Sequence, residues 1–245
     1  MMGKMIYKEL NVVLSSYTGL IAILAFYGIV TLFLWILPGQ TYLDYGYADP
    51  DIFFQMSSFV LLFILPLLSV GFFSQELKNG TIDTLRVLPT SMWSITLAKF
   101  WAALLFALLV LLLSVPILTV LNSIVPDVPL DYQALLGSYI GLFMLCACYI
   151  AISLFCSVIT QEIAISVILA VVLGFFFFYG FDYFAELIGV DDAMAYGIRS
   201  LGFSARSETL SKGIVELSTV VYLASVCVFF LACTSVLLER KLKSL

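Results

Sequence analysis

The chain has 245 residues, 63% of them hydrophobic and 11% charged, with a mean hydropathy of +1.14 and a net charge of −5. Soluble domains carry about 25% charged residues, so this chain lacks the polar surface a water-exposed globule needs and reads as an all-α polytopic membrane protein. It has no histidine, which excludes histidine triads, histidine-rich metal sites and histidine-ligated haem, and no basic patch is present to bind nucleic acid.

The opening MMGKMIYKEL does not resemble a cleaved leader, because the apolar run behind it is longer than a leader core. Residues 4–15 predict an amphipathic helix lying in the membrane surface. At 100° per residue Lys4, Lys8, Asn11 and Ser15 share one side, and Ile6, Leu10 and Val13 the other.

The first span is expected over 18–37, about 20 residues at 1.5 Å each against roughly 30 Å of hydrocarbon. Pro38 and Gly39 end it, and the next segment holds Asp44, Asp49 and Asp51 with no lysine or arginine. The second span, 53–73, contains Pro66, which removes a helix hydrogen bond and predicts a bend. Residues 75–99 follow as a polar loop, because burying Glu76, Lys78, Asp83 and Arg86 would cost ~2.5–3.5 kcal/mol for each charge near a span's centre.

Further spans are expected over 100–120, 135–158, 163–181 and 220–238. In the fourth, Gly137, Gly141, Ala147 and Ala151 offer four-residue spacings that allow close helix contact. Residues 159–162 form a tight turn. The segment 182–218 carries six carboxylates and three cations, and its apolar pieces, 184–190 and 193–203, are too short to cross. They predict short helices at the outer surface. All five cysteines lie in apolar runs and read as small buried hydrophobes.

With the amino terminus inside, the inner side receives Lys4, Lys8, Lys78, Arg86, Lys99, Arg240, Lys241 and Lys243. The outer side receives Arg199, Arg206 and Lys212. That asymmetry satisfies the positive-inside rule and places both termini in the cytoplasm. No P-loop motif occurs, and the spans hold almost no ionisable group for a proton or sodium relay. Energy for any movement must therefore enter from elsewhere. The natural entry point is residues 81–88, where Ile82, Leu85 and Leu88 repeat at helical spacing, Asp83 favours the first turn, Thr81 or Asn79 can cap, and Pro89 ends the helix.

The loop Glu76-x-x-x-Gly80-Thr81-x-Asp83-x-Leu85-x-x-x-Pro89, with Lys99 beyond it, resembles the signature of ABC-2 class ABC transporter permeases. The resemblance extends over 1–245 as one transmembrane domain. The string SKGIVELSTVVYL at 211–223 is most similar to permeases associated with bacterial gliding motility. The resemblance implies a permease that is not itself an enzyme and holds no cofactor. Two copies of a separate P-loop ABC ATPase would bind ATP and Mg²⁺, and a second permease, identical or related, would complete a dimer in the bacterial inner membrane. It further implies that Ile82, Asp83, Leu85 and Arg86 form the coupling helix after Gly80 and Thr81, with Glu76 near the start of that interface. Residues 4–15 would be the interface helix, presenting Lys4, Ile6, Lys8, Leu10 and Val13, and 182–218 the extracellular re-entrant segment. The family commonly has Glu where this chain has Asp83, which keeps the charge. A scaffold or channel-like subunit without an ATPase, or a membrane-embedded enzyme using the acids of 182–192, are the alternative readings.

Overall fold

The structure is a computed structural model and describes residues 2–36, 50–80, 91–118, 131–188 and 192–244. Every regular element among them is helical. The helices are α1 (Met2–Ser15), α2 (Tyr17–Trp35), α3 (Pro50–Ser69), α4 (Gly71–Lys78), α5 (Met92–Leu113), α6 (Tyr132–Ile159) and α7 (Ile163–Phe175). A π-helical turn, Phe176–Gly180, leads into α8 (Phe181–Ile188), followed by α9 (Asp192–Arg199), α10 (Phe203–Ser211) and α11 (Leu217–Ser244). Six segments among the described residues are long and apolar enough to cross a membrane, as expected: Tyr17–Trp35, Pro50–Lys78, Met92–Leu118, Tyr132–Ile159, Ile163–Leu187 and Leu217–Lys241.

The helix starts follow from capping. Ser16 accepts a hydrogen bond from the Gly19 amide at 3.1 Å to open α2, and Ser91 does the same for Ser94 at the head of α5. Asp131 accepts from the amides of Gln133 and Ala134 to start α6. Each cap satisfies donors that a helix leaves orphaned at its first turn. The helix runs on past Pro66: Val70, at helical φ −60° and ψ −35°, donates to the Pro66 carbonyl at 3.0 Å, so α3 continues into α4 as one segment, Pro50–Lys78.

The bundle is built around α6, which packs against α3, α4, α5, α7, α10 and α11. Between lipid-immersed helices, apolar burial gives no preference over acyl chains, so packing and polar contacts hold the bundle. On α2 the buried positions Gly19, Ala22, Phe26, Val30 and Leu34 form one stripe at three- and four-residue spacing, while Leu20, Ile21 and Leu24 face outward. Short-range polar bonds tie the helices together. The Ser74 hydroxyl lies 3.0 Å from the Ser157 carbonyl and 3.1 Å from the Ser166 hydroxyl, joining α4, α6 and α7. Tyr27 donates to the Val110 carbonyl at 2.6 Å near the end of α5, where Ser114 turns its amide back to Leu111.

The segment beyond the fifth span differs from the expected surface layer. The helix runs on through the π turn to Ile188, and α10, which the sequence reading does not single out, inserts against α6 and α3. Phe203 and Leu210 are fully buried there, and Ser138 donates to the Ser211 carbonyl at 2.7 Å. The glycine pair of α6 is explained by this contact. A Cβ at Gly137 would lie 2.2 Å from the Gly213 carbonyl oxygen, and one at Gly141 would meet Leu210 at 2.7 Å. The close approach is to the end of α10 rather than to another span.

Gly213 also has φ +77°, a left-handed conformation, and its own Cβ would meet the Ala134 carbonyl oxygen at 2.3 Å. We expect Gly213→Ala to destabilise the purified chain by about 3 kcal/mol, summing strain and overpacking. Gly28→Ala, which meets nothing within 4 Å, should leave thermal unfolding in detergent unchanged or slightly later.

Candidate functional site: the charged end of the bundle

Six alternating segments gather α1, the end of α4, the start of α5, the end of α6 and the end of α11 at one end. Ion pairs and caps mark that end. Lys78 sits 3.1 Å from Glu162, joining α4 to the turn before α7. Lys241 of α11 donates to the Ile159 carbonyl at 3.1 Å, where the last carbonyls of α6 need partners. The Lys78–Glu162 pair is half-exposed on both sides, so its contribution is small.

Lys99 lies differently. It is the eighth residue of α5, and its side chain is 3% exposed. The ammonium donates to Glu76 Oε1 at 2.7 Å and to the Phe72 carbonyl at 2.9 Å, both from α4. Glu9 Oε1 of α1 stands 3.7 Å away. The rings of Phe73 and Phe72 have centroids 5.0 Å and 5.7 Å from the nitrogen, within cation–π range. One lysine therefore holds three segments that are distant in sequence.

The α1 residues fall on the two sides that their spacing predicts. Lys4 and Lys8 are exposed, Ile6 and Leu10 are partly covered and Val13 is buried. The helix packs chiefly on α5 and then on α2. A cleft of about 540 Å³ opens beside it, between Lys8, Glu9 and Ser16 on one wall and Gly71, Gln75 and Glu76 on the other, with Lys99 at its back.

Of the loop residues, Glu76 belongs to the last two turns of α4. Gly80 has φ +67° and follows Asn79, whose amide bonds to the Gln75 carbonyl, so the Asn79–Gly80 pair terminates α4 as a left-handed cap does. Asn79 thus serves the end of one helix here. Thr81, Ile82, Asp83, Leu85 and Arg86 lie outside the described residues. Two functional candidates escape a local reading of the sequence: Glu9, which looks like one more charge on a surface helix, and Lys99, which looks like a flanking charge. The available signal is that a lysine two turns into an apolar helix requires a partner.

A family model described as ABC-2 family transporter protein matches residues 15–178. The chain belongs to that family. It is a multi-pass membrane protein and a permease component of the ABC transporter type, whose members generally work with an ABC ATPase in a lipid membrane. The match covers α2 through most of the π turn, so nearly all of α1 and the helices α8–α11 stand outside it. A comparison with curated proteins gives no match.

Removing one partner from a buried ion pair orphans the other. We expect Lys99→Met to destabilise the chain by about 3 kcal/mol, and Glu76→Gln by less, because Glu9 remains beside the ammonium. A double-mutant cycle of the two, read by unfolding in detergent, should give a coupling of about 2 kcal/mol. Additivity of the two changes would show that the pair carries no interaction.

Proposed function

We propose that the chain is the membrane half of an ATP-driven exporter, in which a separate ABC ATPase pushes on the charged end of the bundle. The observation that carries this reading is the Lys99 cluster, which joins the amphipathic α1 to α4 and α5. A force applied to α1, or to the loop beyond Gly80, thereby reaches the second and third spans together. The loop residues Thr81, Ile82, Asp83, Leu85 and Arg86 take the coupling role, with Glu76 and Gly80 setting where the loop leaves α4. Lys4, Ile6, Lys8, Leu10 and Val13 form the accessory surface on α1. ATP and Mg²⁺ belong to the partner, two copies of which serve two permease chains.

The sidedness of the reading rests on charge. Lys4, Lys8, Lys78, Lys99, Arg240 and Lys241 sit at the α1 end, against Arg199, Arg206 and Lys212 at the other. The positive-inside rule then puts the α1 end and both termini in the cytoplasm of a bacterial inner membrane. Trp93 and Trp101, both partly exposed near that end, suit the interfacial level where indole rings anchor. The narrower likeness to gliding-motility permeases rests on residues 211–223, which span the end of α10 and the start of α11. That likeness favours force transmission as an output beside cargo movement.

Leu85→Asp is the direct test, because it places a charge on the apolar side that docks into the partner. Desolvating that charge costs about 2–3 kcal/mol, a loss of roughly 100-fold in affinity. Co-purification of the ATPase with the full chain, and the stimulation of its turnover, should both fall accordingly. Unchanged co-purification and unchanged stimulation would remove the coupling role from this loop.

A further inference from the structure

The end of the bundle opposite α1 contains a cleft of about 670 Å³, between α2, α3, the π turn with α8, and α9–α10. The lining from α8, α9 and α10 is polar and carries both signs of charge: Asp182, Arg199 and Glu208, with Ser204. The rest, from α2, α3 and the π turn, is largely apolar and aromatic, with Phe33, Met56, Phe59, Phe178 and Tyr179 beside the polar Gln55. We propose that this cleft binds the head of a membrane amphiphile carrying both an ammonium and an anion, as a phosphatidylethanolamine-type lipid does, with its chain lying down α3.

Three observations converge on that chemistry. The charged wall is mixed in sign, so a purely anionic head faces two carboxylates and a purely cationic head faces a guanidinium, while a zwitterion satisfies both. Asp182 accepts the Ser204 hydroxyl and Glu208 pairs with Lys212 at 3.1 Å, yet each carboxylate has several lone-pair sites and retains acceptors for an ammonium. The aromatic wall beside them adds cation–π attraction for the same group.

The second observation lies below the cleft. Along the otherwise buried α3, the exposed positions are Gln55, Phe63 and Leu67, and the partly buried Phe59 completes a four-residue repeat on one stripe. The stripe begins at the cleft. From Phe59 to Leu67 it descends about 12 Å at 1.5 Å per residue, most of the roughly 15 Å half-thickness of the hydrocarbon. An acyl chain anchored by its head in the cleft would cover that length.

The third observation is the continuity of the aromatic surface. Ring centroids run from Tyr183 to Tyr179 at 6.4 Å, from Tyr179 to Phe59 at 6.2 Å and from Phe59 to Phe63 at 5.2 Å. The π turn shifts the register of the fifth span so that Phe178 and Tyr179 within it and Asp182 after it all reach the cleft. Binding there depends on the membrane placement, and only the further step of calling the lipid a cargo rests on the permease reading.

The test uses the full chain alone in nanodiscs, without an ATPase, so its failure and that of the coupling reading are separate results. One preparation contains a phosphatidylethanolamine with a photoactivatable diazirine in its acyl chain, and another the matching phosphatidylglycerol. Adducts are mapped by peptide mass spectrometry, with the exposed Val228 and Phe229 of α11 as the reference for ordinary annular lipid. The phosphatidylethanolamine probe should label residues 50–70 about fivefold more than α11, the equivalent of one ordinary net hydrogen bond. The excess should be lost in Glu208→Gln and in Arg199→Gln, two exposed positions whose substitution leaves the fold intact, and should be absent for phosphatidylglycerol. Equal labelling of α3 and α11, an excess indifferent to headgroup and substitutions, or capture of the stripe by a second copy of the chain instead of lipid would each overturn the proposal.

Discussion

An ammonium withdrawn from water two turns into a span is the constraint on which the working end of this protein depends. Desolvating Lys99 alone would cost several kcal/mol. The cost is offset by a short bond to Glu76, a bond to the Phe72 carbonyl, the nearby Glu9 carboxylate and two ring faces. These partners come from α1 and α4: losing α4 strands the ammonium in a poorly solvated site, and losing α1 removes its second carboxylate together with the packing of α1 on α5. The amphipathic helix is therefore bolted to the bundle and does not merely float on the headgroups beside it.

The two ends of the bundle are held by different physics. At the α1 end, long charged side chains bridge segments and the last carbonyls of α6 receive a lysine. At the other end, α10 is accepted because α6 presents glycines, and small-residue packing with serine hydroxyls joins the helices, while the Lys212–Glu208 ion pair stays within one turn. Between them, α3 and α4 form one continuous helical segment, Pro50–Lys78. A displacement at Glu76 is thus connected along that segment to the cleft where Gln55, Met56 and Phe59 lie. A continuous helix transmits such a displacement as rotation or tilt of the whole span.

How much of this the sequence carries follows the range of the interaction. The six crossings and the two sides of α1 are local periodicities, and Ile6, Leu10 and Val13 face inward as their spacing demands. The tight turn before Ile163 is equally local. Gly137 and Gly141 announce a close contact without naming its partner, because α10 is a short polar helix that no hydropathy window distinguishes from a surface loop. The Lys99 cluster joins positions 9, 76 and 99, and nothing in any one stretch shows that the other two approach it. Glu76 is legible as a loop-side charge, yet its bond is to a buried lysine rather than to solvent. The coupling role expected of Thr81 to Arg86 comes from helical spacing and from resemblance, and those residues lie outside the described ones.

The central claim is that α1 and the start of α5 move as one body when the partner binds nucleotide. Spin labels at the exposed Lys4 and Trp93 positions of the full chain, assembled with its ATPase, report their separation directly by pulsed electron resonance. The account predicts the same distance in the nucleotide-free and ATP-bound states. A nucleotide-dependent change of several ångström between the two labels would contradict it.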